Sequence, residues 1–149
     1  MSDTIFDQVA ELCRKSAHAS LDSLMELGPR PSGESEGILW DIQARRLRNQ
    51  IDSLSNMASD LTARAILLDL SEFKAEMDAI SEATKKAKES IEQIKEVSRK
   101  LSKFARLLDL GLALLALPTA AGSLATLVPA VSAAAKAGRE LAKDDDGAE

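Results

Sequence analysis

Apolar residues recur at helical spacing from the first turn of the chain: Ile5, Val9, Leu12, Cys13, Ala17, Leu21, Leu24 and Leu27 share one side of a 3.6-residue helix. Thr4 followed by Asp7 reads as a capping box with Asp in place of Glu, so a first helix is expected over residues 4–27. The run Gly28-Pro29-Arg30-Pro31-Ser32-Gly33 ends it, because proline has no amide to donate and pushes its predecessor out of helical dihedrals. A loop over 28–34 then lets the chain reverse into an antiparallel neighbour.

The next stripe is Leu47, Ile51, Leu54, Ala58, Leu61, Ala65 and Leu68, spaced alternately by four and three, and it predicts a second helix over 35–68. Glu36 suits the positive end of that helix's dipole. From Ile66 the register changes. Ile66, Phe73, Ile80, Ala87, Ile94, Leu101 and Leu108 occupy one heptad position, and Leu70, Met77, Thr84, Ile91, Ser98, Ala105 and Leu112 the other. Two registers on one rod require a discontinuity, and Asp69 with Glu72 offers a cap for a new helix, so the break is expected near Asp69 and a long heptad helix over 69–117.

No glycine or proline interrupts the chain between Gly37 and Gly111, and no charge occurs from Leu110 to Ala135. Pro118, Gly122 and Pro129 divide this uncharged tract into two short arms, expected as an apolar helical arm over 118–143 that folds back on the rod. Crossing a bilayer takes about 20 apolar residues, a length the undivided tract meets and each arm does not. Leu110, Leu112, Leu114, Leu115, Leu117, Leu124, Leu127, Val128 and Val131 are the residues expected to meet a membrane or a partner. Lys95, Arg99, Lys100, Lys103 and Arg106 lie just upstream, where they would suit anionic lipid head groups. Against this stand Asp109 and the absence of a Trp or Tyr belt. The competing reading buries the same leucines in a helical core, with the alanines allowing close helix approach.

Composition narrows the function classes. Aromatic residues make up 3% of the 149 positions and tyrosine is absent, while Leu, Ile and Ala supply the apolar content, so strands are not expected. A formal net charge of -5 disfavours general nucleic-acid binding, which draws on a basic surface. The acidic, polar N-terminus has no secretory-signal pattern, and no lipidation box is present, so a cytoplasmic or membrane-associated location is expected. Residues 144–149, which include Asp144-Asp145-Asp146, read as an acidic tail.

Candidate chemistry is sparse. Cys13 stands alone, and His18, five positions on, points elsewhere on the helix, so neither a disulfide nor a Cys/His nucleophile pair is expected. No metal site, cofactor site or phosphate-cradling glycine loop is legible. Arg45, Arg46 and Arg48 cluster near Trp40, an arrangement read as a solvated helix face.

The order of elements over residues 36–141, long amphipathic helices followed by an apolar hairpin, resembles the layout of α-helical pore-forming toxins and other membrane-inserting helical proteins, and no motif carries that resemblance. The expected fold is all-α, an elongated helical bundle or coiled coil with a C-terminal apolar helical hairpin. The expected function is non-enzymatic: self-association as a homo-oligomer, or with a helical partner, through Phe73, Met77, Ile80, Ile91, Ile94 and Leu101, with residues 107–137 inserted in or docked on a membrane. The alternative is a soluble helical-bundle adaptor or chaperone-like binding module that keeps the segment in a core or partner interface.

Overall fold

Residues 4–64, 73–117 and 124–143 are described in the computed structural model, residues 124–127 by their backbone alone. Among the described residues the chain forms five helices and no strand: α1 (Ile5–Glu26), α2 (Glu34–Arg64), α3 (Lys74–Gln93), α4 (Val97–Leu115) and α5 (Leu124–Ala142). The protein is therefore all-α, as the periodicity implies.

The first helix begins where its cap predicts. Thr4 is extended, its Oγ1 accepts the Asp7 amide at 3.1 Å, and the hydroxyl donates back to the Asp7 carboxylate at 3.1 Å. At the other end the Leu27 and Gly28 amides donate to the Leu24 and Met25 carbonyls, and Gly28 takes φ 67°, a conformation in which a Cβ is strained. Arg30 then reaches across the start of α2, with two 3.0 Å hydrogen bonds to Asp41. Gly37 leaves room for it, since a Cβ there would lie 2.7 Å from the guanidinium.

The single heptad helix expected over 69–117 is two helices. Ile94 and Glu96 are both extended, each with ψ 129°, and separate α3 from α4. The physical reason lies in α4 itself, whose buried stripe is Leu101, Phe104, Leu107, Leu110 and Leu114, whereas the heptad positions Ser98, Ala105 and Leu112 are exposed. Interrupting the helix at 94–96 frees α4 to turn its larger apolar face inward. The expected break near Asp69, together with Ala65, Ile66, Leu68 and Leu70, lies outside the described residues.

Side-chain pairings set the helix directions. Gln8 meets Ser81 and Lys15 meets Lys88, so α1 and α3 run parallel. Met57 packs at Gly111 and Arg64 reaches the Leu117 carbonyl, so α2 and α4 also run parallel, while Trp40 at the Gly28 carbonyl marks α1 and α2 as antiparallel. Gly138 lies against Ile80 and Ala83, which seats α5 along α3, and α5 also packs on α4.

The core draws on all five helices. Phe6, Val9, Cys13, Leu54, Leu61, Ile80, Phe104, Leu107, Leu110, Leu114, Leu117, Val131, Ala134 and Leu141 belong to one buried cluster. Each fully buried leucine stabilises the fold by about 1.5–3 kcal/mol. Two cations close helix ends: half-buried Arg64 donates to the Leu117 carbonyl beyond α4, and Lys103, 0% exposed, donates to the Lys143 carbonyl beyond α5 at 2.6 Å.

Candidate functional site: the open end of the α1–α2 hairpin

α2 is longer than the helices it packs beside. Its Arg46, Asn49, Gln50 and Ser53 share a groove with Ser98, Leu101 and Ser102 near the start of α4, so the turns of α2 before Arg46 run past that helix. Between Glu34 and Gln43 only Gly37 is buried. These turns lie beside the loop that follows α1, with Trp40 at Gly28 and Asp41 at Arg30, and the last turns of α1 before that loop carry Leu21 and Met25, four residues apart on one face.

Five large apolar side chains of the α1–α2 hairpin are exposed: Leu21 at 41%, Met25 at 71%, Ile38 at 52%, Leu39 at 63% and Ile42 at 45%. They account for most of the exposed large apolar residues among the described ones, the others being Leu112 and Val128. Single exposed leucines are ordinary on a protein surface, whereas several on one helical hairpin are not. Trp40 stands among them half-buried, its indole N–H donating to the Gly28 carbonyl at 3.2 Å, which ties α2 to the loop.

Charges of both signs surround the apolar residues. Asp22 and Glu26 are exposed on α1, and Arg45, Arg46 and Arg48 are exposed on α2. The Arg30 guanidinium, hydrogen-bonded to Asp41, holds the Asp41 carboxyl below the usual range against a smaller opposing effect of desolvation. The ion pair links the loop to α2, the helix that carries Ile38 and Ile42.

The residues singled out from sequence are distributed differently. Leu110, Leu114, Leu117 and Val131 are buried inside the chain's own core, Leu115 is half-buried, Leu112 and Val128 are exposed, and the side chains of Leu124 and Leu127 lie outside the described residues. Of the expected head-group cations Lys95 is exposed and Arg99, Lys100 and Arg106 are half-buried. Lys103 corrects the expectation: it faces inward and closes α5. Ile80, Ile91 and Leu101 are buried and Phe73, Met77 and Ile94 half-buried, so the heptad face is largely consumed by packing within the bundle.

Leu21, placed by periodicity on the buried stripe, is exposed, and Ile38, Leu39 and Ile42 escaped notice because they precede the stripe that opens at Leu47. Their signal was nevertheless present. Three large apolar residues within five positions lie off the register of the stripe that opens at Leu47.

Chemistry does not gather at this end. Cys13 is buried and His18 exposed, and no group of three or more His, Cys, Asp or Glu side chains suited to a metal occurs among the described residues. No described helix is long and apolar enough to cross a membrane. The class defined by the fold is thus an all-α helical bundle. No known family, characterised protein or solved structure matches the chain.

Proposed function

We propose that this chain is a non-enzymatic helical-bundle binding module that works as a pair of copies joined through the open ends of their α1–α2 hairpins. The observation that carries this reading is the exposure of Leu21, Met25, Ile38, Leu39 and Ile42, all contributed by the α1–α2 hairpin. A second copy is the occupant favoured by charge, because the patch carries both Asp22 and Glu26 and the arginines 45, 46 and 48, the two sets a twofold pairing would match. In this reading the assembly surface is the hairpin end, and the heptad residues serve the interior. The apolar hairpin formed by α4 and α5 belongs to an elongated bundle and supplies its core rather than a membrane anchor. The burial of Leu110, Leu114, Leu117 and Val131 supports that assignment.

Sedimentation velocity across a concentration series tests the proposal. The unmodified protein is expected to dimerise at micromolar concentration, and Leu39→Glu with Ile42→Glu to return it to a monomer with unchanged far-UV helicity. A chain that stays monomeric throughout, or a dimer indifferent to the double substitution, overturns the reading. Flotation with anionic liposomes by a monomer would place function at the membrane instead.

A further inference from the structure

Residues 94–102 carry the chain from α3 into α4 with little to hold them down. Ile94 and Glu96 are extended, Glu96 gives α4 no side-chain cap, and Leu101 is the one buried residue of the segment. Even Leu101 lies outside the common core cluster. Both flanks are anchored: Ile91 belongs to the core, Lys103 is buried and donates to the Lys143 carbonyl, and Phe104 is fully buried. The segment is a strap between two fixed points.

The strap lies over the α1–α2 hairpin. Lys100 reaches the Ser23 hydroxyl of α1 at 3.5 Å and shares a groove with Ser16, while Ser98, Leu101 and Ser102 share another with Gln50 and Ser53 of α2. Beneath the strap the character of α1 changes. Phe6, Val9, Cys13, Ser16, Ser20 and Ser23 form one buried stripe at alternating spacings of three and four, apolar where it joins the core and hydroxyl-bearing toward the strap. The Ser16 and Ser20 hydroxyls and the Gln50 Oε1 are buried without a hydrogen-bond partner, three of the four such side-chain atoms among the described residues. Helical hydroxyls elsewhere bond to the preceding turn, as Thr62 does to the Ala58 carbonyl and Thr84 to the Ile80 carbonyl. Buried polar atoms in proteins are nearly always paired, and leaving one unpaired costs its full desolvation. The strap therefore closes against a standing penalty.

We propose that residues 94–102 open from the α1–α2 hairpin as a unit, pivoting at Ile91 and Lys103 while the core stays closed, and that opening bares a hydroxyl-lined cleft formed by Ser16, Ser20, Ser23 and Gln50. Lifting the strap gives water to the three unpaired atoms and gives up, of its own buried side chains, Leu101 alone. Lys100 loses only a long hydrogen bond. The motion does not rest on the pairing of copies, since Leu21, Met25, Ile38, Leu39 and Ile42 all lie outside the strap.

Native-state hydrogen exchange on the full chain, read residue by residue by NMR, tests this. The amides of Lys100, which donates to the Glu96 carbonyl, Leu101 and Ser102 are expected to exchange about a hundredfold or more faster than those of Leu110 and Leu114. Simple fraying of a helix end would also speed them, so two variants separate the cases. Ser16→Ala with Ser20→Ala is expected to slow the strap amides about tenfold, because the hydroxyls no longer gain from opening, whereas fraying would be unaffected. Leu107→Ala is expected to speed Leu110 and Leu114 and leave the strap amides at their original rate, because that core contact persists when the strap alone lifts. Strap amides as protected as Leu110, strap amides accelerated in Leu107→Ala, or strap amides indifferent to the double serine variant each overturn the proposal.

Discussion

Ser20 lies on the buried face of α1 at 0% exposure, and its hydroxyl, like that of Ser16, has no partner. A buried hydroxyl without a hydrogen bond opposes folding, and alanine has the higher helix propensity. Ser20→Ala is accordingly expected to stabilise the protein by about 1 kcal/mol in urea denaturation. Gly28→Ala runs the other way. A Cβ there meets nothing within 4 Å, so its effect comes from the backbone alone, and φ 67° predicts a loss of about 1 kcal/mol. Asp41 adds a pH dependence of known sign: its folded pKa is depressed by the Arg30 hydrogen bond, so the contribution of the pair is present above the unfolded carboxylate value and lost as pH falls through the folded one. An NMR titration of the Asp41 carboxyl should give a pKa below the ordinary carboxylate range and return toward it in Arg30→Gln.

At the scale of elements, α4 decides what the uncharged tract does. Leu114 is 0% exposed in the common core, so Leu114→Lys is expected to abolish cooperative thermal unfolding in water without lipid, since an unpaired ammonium cannot be left among leucines. Retention of a cooperative fold in that variant would mean that the leucine faces outward. Helices were legible where capping and periodicity agreed, as for α1, whose cap at Thr4 and stop at Gly28 sit at the positions their chemistry demands. The α3–α4 turn was not legible. Residues 94–96 contain neither glycine nor proline, and the heptad runs through them; only the alternative face of Phe104, Leu107 and Leu110 shows that a rotated helix buries more. A two-sided apolar sequence likewise gives no directional signal about bilayer or core, because either environment accepts leucine on every side. The hairpin end was missed for the converse reason, since a periodicity search begins where the stripe begins, at Leu47, and passes over apolar residues that belong to no stripe.

At the scale of the molecule, Cys13 reports whether the bundle opens as one unit. It is 0% exposed in the core cluster, and burial pushes its thiol up to about 12 against a smaller lowering by Arg14, so the folded protein holds it neutral and shielded. A thiol reagent needs an exposed thiolate, and labelling therefore proceeds only through an opened state. α1 packs on α2, α3 and α4 together, which argues that α1 cannot lift away without breaking the core that α4 and α5 complete. Leu107→Ala tests this coupling from a different helix. The truncation is expected to destabilise the fold by about 3 kcal/mol. If opening is global and reclosure is fast, that loss speeds Cys13 labelling by roughly a hundredfold. If α1 instead detaches alone, labelling of Cys13 will be indifferent to Leu107→Ala even as the melting temperature falls. The two outcomes separate a single cooperative bundle from a hairpin resting on an independent apolar subunit.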